Sequence, residues 1–233
     1  MTKFLATIMG YALNALYGLF GNYALTIIVF TIIIRLLIMP LFNAQLKSTE
    51  QMQEIQPLVN EIRAKYKDKP EVMNEKMQEL YSEHKISPAM GCLPLLIQLP
   101  IIWGLFALLR NPTLYISDPA MVIAAHEKFL WVQDLAQPDL WILPVVAGAA
   151  TFISMRITTM MNASAQAADN PANASMKAMQ YFMPLMIVWM ARTMPSGLTL
   201  YWIMSYIFQI FQSKYNQIQR KKRAAKKKQK KNA

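Results

Sequence analysis

Apolar positions gather into five blocks, and between them they thin to helical stripes. The first block, residues 23–42 (YALTIIVFTIIIRLLIMPLF), is 20 residues long with one charge, Arg35. At about 1.5 Å per residue it spans about 30 Å, the thickness of a bilayer's hydrocarbon core. It predicts a transmembrane helix over 22–43 that carries a buried guanidinium. Further apolar blocks predict spans over 91–110, 140–159, 176–192 and 198–215. Ahead of the first span, Phe4, Leu5, Ile8, Met9, Ala12, Leu13, Leu16 and Tyr17 recur at helical spacing opposite a thin polar side. That pattern predicts an interfacial amphipathic helix over 1–21, broken from the span by Gly18, Gly21 and Asn22.

Residues 44–90 are different material: polar, charged and rich in methionine. Met52, Ile55, Val59, Ile62 and Tyr66 make an apolar seam on one helix, and Met73, Met77 and Leu80, with Tyr81 and His84, make a second. Asp68-Lys69-Pro70 supplies the turn between them. Two such helices predict an antiparallel hairpin too polar for the hydrocarbon. Glu71, Glu75, Glu79 and Glu83 repeat every four residues on its second arm. They read as a solvated face, or as a docking surface for a basic partner. Residues 111–139 are a mixed connection, with Trp131 at a membrane boundary and Trp141 just past its end. Residues 160–175 are a small-residue loop, and 193–197 a tight turn.

Composition agrees with several spans: 55% of residues are hydrophobic and 16% charged. A single cysteine, Cys92, excludes an internal disulfide and a cysteine metal cluster. With no charged leader and cleavage site at the start, the chain is expected to be inserted as written. The net charge of +11 belongs to the C-terminus: ten of the 24 Lys and Arg lie after Phe211, where there is no acid. The hairpin segment carries seven such residues and the 111–139 connection with its flanking Arg110 carries two. The positive-inside bias therefore puts hairpin and tail in the cytoplasm and the N-terminus outside, which is also what five spans require.

The buried chemistry centres on Arg35. A guanidinium at mid-membrane costs about 2.5–3.5 kcal/mol on insertion scales and cannot escape by losing its proton. No Asp or Glu lies in any of the five spans, so no counter-charge is available inside. Thr31 stands one turn before Arg35, Gln98 is buried in the second span, Thr151, Ser154 and Thr158 line one side of the third, and Trp202, Ser205 and Gln209 one side of the fifth. Small hydroxyl residues in such helices serve as packing contacts. An unpaired intramembrane cation points to function: a transient home for polar or acidic segments of another chain.

At these residues the chain resembles the YidC-type membrane protein insertases, related to the Oxa and Alb proteins of organelles. The resemblance is carried by IIIRLLIMPLF, GCLPLLIQLPIIWGLF, FLWVQDLAQPD and MPSGLTLYWIMSYIFQIFQ, in that order, and runs over nearly the whole chain. It is similar to the short form without the large periplasmic domain. The resemblance implies an all-α polytopic fold with five core spans around a hydrophilic groove, open to cytoplasm and lipid and closed to the outside. It implies that Arg35 is the groove arginine, with Gln98 and Trp202 at substrate-contact positions. Thr31, Ser154 and Ser205 join them as groove candidates from the sequence. It further implies a bacterial cell membrane location, nascent membrane proteins as substrates, and work alone or beside the Sec translocon.

The tail residues Arg220, Lys221, Lys222, Arg223, Lys226, Lys227 and Lys228 fit anionic lipid and ribosomal RNA, and are expected to be disordered alone over 216–233. Two other functions compete with that of an insertase and membrane chaperone. A small anion-binding transporter or channel would use Arg35 as its site, but no inverted repeat is visible. An enzyme would need a motif such as H-E-x-x-H or G-x-S-x-G, and the sequence has none. No cofactor or metal is expected.

Overall fold

The computed structural model describes residues 2–86, 93–116, 118–162 and 171–232. The start of the second expected span and half of the small-residue loop lie outside these residues. The described chain is helical: α1 (Thr2–Phe20), α2 (Tyr23–Glu54), α3 (Gln56–Lys65), α4 (Pro70–Glu83), α5 (Leu93–Arg110), α6 (Pro119–Ala124), α7 (Ile142–Asn162), α8 (Pro171–Ala191) and α9 (Ser196–Asn232). A 3-10 turn at Pro112–Leu114 joins α5 to α6.

α9 lies between α2 and α7, and α8 packs on the far side of α7. α1 lies across α5 and α2, while α5 meets α9 only lightly. Small residues set the closest approaches, as they do where lipid leaves no hydrophobic drive between helices. A Cβ on Gly148 of α7 would run into Val188 of α8, and one on Gly10 of α1 would stand 2.5 Å from the Tyr115 carbonyl.

Among the described residues, two stretches are long and apolar enough to cross a bilayer, Tyr23–Gln45 and Ile142–Thr159. Only 22% of the first and 39% of the second is buried within the protein, so most of each faces outward. A core helix of a soluble protein would be mostly covered. Leu37, Leu185 and Trp189, each 69% exposed, continue that outward apolar surface on α2 and α8. Such a surface suits lipid rather than water.

Two expectations need correction. The first arm of the hairpin is not one helix. α2 runs unbroken past residue 43 to Glu54, and the seam is divided at Ile55 between α2 and α3. Pro57 explains the break: it has no N–H to give residue 53, and its ring crowds that carbonyl. The seams still meet, since Ile55, Val59, Leu80 and Ile86 are buried together with Met52, Ile62, Met77 and Tyr81 against them. Met73, expected in the second seam, stands outside that cluster. Second, the tail is helical, because α9 continues to Asn232. Its Lys, Arg, Ala and Gln are good helix formers, and the preceding helix removes the cost of nucleation. Lys222 is exposed, while the side chains of Arg220, Lys221, Arg223, Lys226, Lys227 and Lys228 lie outside the described residues. Trp202 is 3% exposed and packs in the apolar core, buried as deeply as Thr31, Ser154 and Ser205.

Candidate functional site

Among the described residues, the main cluster of buried apolar side chains is gathered at one end of the bundle. On α2 they are Tyr23, Ala24, Ile27 and Phe30; on α5, Leu105, Leu108 and Leu109; on α9, Leu198 and residues 200–203. α7 contributes Leu143 and Ala147 from its first turns, and α8 contributes Ile187 and Ala191 from its last. All lie toward the end formed by the 111–139 connection. This end is also tied by polar contacts. The Glu127 carboxylate accepts from the Tyr17 hydroxyl at 2.9 Å and from the Tyr23 backbone N–H at 2.8 Å. Thus a loop residue caps α2 and fastens α1 in one stroke. At α9 the Ser196 and Gly197 N–H groups donate to Gln137 O and Leu135 O, both at 2.9 Å. Asp139 takes the N–H groups of Trp141, Ile142 and Leu143 at the start of α7 and the Trp131 indole N–H.

Farther along α2, α7 and α9 the buried residues change character. Thr31 on α2, Thr151 and Ser154 on α7, and Ser205, Gln212 and Ser213 on α9 are buried and polar. Thr31 and Thr151 spend their hydroxyl protons on carbonyls one turn back, Ile27 O and Ala147 O, each at 2.7 Å. Ser154 receives Thr158 at its backbone carbonyl at 3.0 Å. Ser205 Oγ is buried and has no partner among the described residues.

Arg35 sits at the transition, twelve residues into α2 and so about 18 Å from the capped end. It is half-buried. The ionisable groups facing it are the hydroxyls of Tyr201 and Tyr206 on α9, and no described carboxylate pairs with it. Gln98 of α5, also half-buried, donates from Nε2 to the Tyr201 hydroxyl at 2.9 Å. Tyr206 in turn meets the Thr151 hydroxyl of α7. The structure therefore brings Arg35 and Gln98 to one place from two helices, with α9 joining them. Thr31 and Ser154 lie buried on flanking helices and Ser205 one turn beyond Tyr201. Tyr201 and Tyr206 were not singled out in the sequence, where tyrosine is common among apolar residues. Their signal was the four-residue spacing of Tyr201 with Ser205 and of Trp202 with Tyr206. Among the described residues no group of His, Cys, Asp and Glu could hold a metal ion.

These features define an all-α polytopic membrane protein. The profile of the 60Kd inner membrane protein family matches residues 15–225, and the chain belongs to that family. It is 44% identical over 198 residues to membrane protein insertase YidC 2 of Listeria innocua, matching 83% of this chain and 63% of that one. It is 37% identical to membrane protein insertase YidC of Fusobacterium nucleatum, across 88% of this chain and 90% of the relative. The chain thus spans less than two thirds of the Listeria relatives' length and nearly all of the Fusobacterium one. Its structure is similar to a crystal structure of an active YidC insertase with the first transmembrane domain resolved, at TM-score 0.65 and 29% identity, covering 88% of this chain and 44% of that one.

Proposed function

We propose that the chain is a membrane protein insertase and chaperone whose polar face receives hydrophilic segments of nascent membrane proteins. The observation that carries this reading is the segregation within the bundle. Among the described residues, apolar packing fills the end formed by the 111–139 connection, while buried polar side chains and Arg35, with which no described carboxylate pairs, lie beyond it. Burying Arg35 without a counter-ion is costly, so water reaching it from the open end, or an acidic cargo segment, would stabilise it. A hydrophilic stretch seated there has only the closed half left to cross. The apolar helix that follows it can leave sideways into lipid.

Five spans formed by α2, α5, α7, α8 and the first half of α9 would place the hairpin and tail in the cytoplasm, with α1 in the outer interface. The insertases named among its relatives support nascent membrane proteins as cargo. Ribosomal RNA and anionic lipid are the partners that suit the basic tail, and the Sec translocon is a partner for work in tandem. The direct test is photo-crosslinking from positions 35 and 98 to a stalled nascent chain. Crosslinks should form to the hydrophilic segment ahead of its first apolar helix. A buried probe at position 202 should give few. Equal yields from all three positions, or none from 35 and 98, would sink the reading.

A further inference from the structure

The outward face of α8 carries Phe182, Leu185 and Trp189 at three- and four-residue spacing, 64%, 69% and 69% exposed. Val145 of α7, 58% exposed, lies on the adjoining helix, and the close approach at Gly148 makes α7 and α8 a single wall. At the end of that wall Arg192 follows the last residue of α8, and its guanidinium stands 4.5 Å from the centroid of the exposed Trp141 ring. We infer that this wall and the arginine above it form a binding site for one anionic glycerophospholipid, with its phosphate on Arg192.

The geometry fits such a molecule at both ends. From Phe182 to Arg192 is ten residues, about 15 Å of helix, or half the thickness of the hydrocarbon core. A cation at that height above an apolar strip stands where the phosphate of a single leaflet lies. Trp141 suits the same boundary. The indole face holds the guanidinium by cation–π attraction, and the N–H groups turned away from the ring can take a phosphate with two parallel hydrogen bonds. No described carboxylate pairs with Arg192. Asp139, two residues from Trp141, is already occupied by three backbone N–H groups and the Trp131 indole. The site therefore offers a positive charge with no free acid to hold a choline or ethanolamine ammonium, which favours a headgroup of net negative charge. A passing apolar helix would use the wall but has no phosphate to place at its end.

Native mass spectrometry of the full chain, released from nanodiscs of mixed phosphatidylglycerol and phosphatidylcholine, tests this. The protein should retain one phosphatidylglycerol through collisional activation. Arg192→Gln should lower that retained fraction about tenfold, Arg192→Lys should lower it severalfold, and Trp141→Leu should fall between the wild type and Arg192→Gln. Millimolar inorganic phosphate should not displace the lipid, because it lacks the acyl chains that fill the wall. Unchanged retention in Arg192→Gln, equal retention of phosphatidylcholine, or displacement by free phosphate would each overturn the proposal. An unaltered melting curve for Arg192→Lys separates lost binding from lost folding.

Discussion

The Gln98 side-chain amide donates to the Tyr201 hydroxyl at 2.9 Å, joining residues 103 positions apart in the chain. α5 rests mainly on α1 and touches α9 only lightly, so this bond is a principal polar tie between α5 and the rest of the bundle near Arg35. Tyr201→Phe removes the acceptor and leaves a half-buried amide without it. The expected cost is about 1 kcal/mol, a fall in melting temperature of about 2–4 °C for a chain of this size. Amide hydrogen exchange should quicken in the first turns of α5 and stay unchanged in its last turns, where Leu105, Leu108 and Leu109 are packed. Uniform loosening along α5 would show that the tie is not local.

Glu127 makes the corresponding tie at the closed end. Glu127→Ala loses the bonds to Tyr17 and to the Tyr23 N–H together. Bonds to a charged group are worth about 1.5–3 kcal/mol, and partial exposure puts this pair toward the lower figure. Glu127→Gln should lose roughly half as much, since an amide oxygen still accepts one bond. The bond to Glu127, then burial and the nearby charges of Glu127 and Asp118, raise the Tyr17 pKa above its ordinary value. A raised pKa on this phenol means that its contribution is whole below about pH 10 and is lost as pH rises through the folded-state value. Alkaline unfolding followed by circular dichroism should therefore begin at lower pH in Glu127→Gln.

How much of this was legible in the sequence depends on what each residue touches. The spans and the hairpin rest on local patterns, and Ile55, Val59 and Leu80 met as their spacing indicated. The break at Ile55 was missed because the seam's 3-4 spacing continues across it, while Pro57 acts on the backbone and leaves no mark in that spacing. Arg35 stood out as the single charge of the first span. Its setting did not: in a membrane helix a residue facing lipid and one facing the core are equally apolar. Nothing in the order of residues therefore separates packed Phe30 from exposed Leu37. Glu127 was hidden for a different reason. Its partners lie 104 and 110 positions away, and a single acid in a mixed connection carries no periodic signal.

Asp139 gives a prediction at acid pH. Burial pushes its carboxyl up, but the backbone N–H groups of Trp141, Leu143 and Ile142 and the Trp131 indole outweigh this and hold it below its ordinary value. A carboxylate held down in the folded state contributes stability above its unfolded pKa, near 3.9. That contribution is lost as pH falls through the lower folded value. Asp139→Ala should cost about 1 kcal/mol at neutral pH, as loss of a helix cap does. Asp139→Asn should cost less, and both variants should flatten the slope of stability against pH below about 4. An unchanged slope would mean that the carboxylate is not the group titrating there.

Charge at position 35 is best tested by separating cargo by its own charge. Arg35→Ala removes the cation and leaves Tyr201, Tyr206 and Gln98 as neutral hydrogen-bonding groups. Insertion of a protein with an acidic translocated segment should fall about tenfold, equivalent to about 1.4 kcal/mol, while one with a short, strongly apolar segment should change by less than twofold. Arg35→Lys retains the charge and loses the planar fork, so it should restore most activity on acidic cargo if attraction alone matters. Reconstitution into liposomes with protease protection as the readout makes the comparison. Raising salt should reproduce only part of the alanine defect, because screening acts weakly on a half-buried charge. Equal losses on both cargoes would point to a structural role for Arg35. Equal activity of alanine and wild type on acidic cargo would remove the electrostatic basis for the polar face.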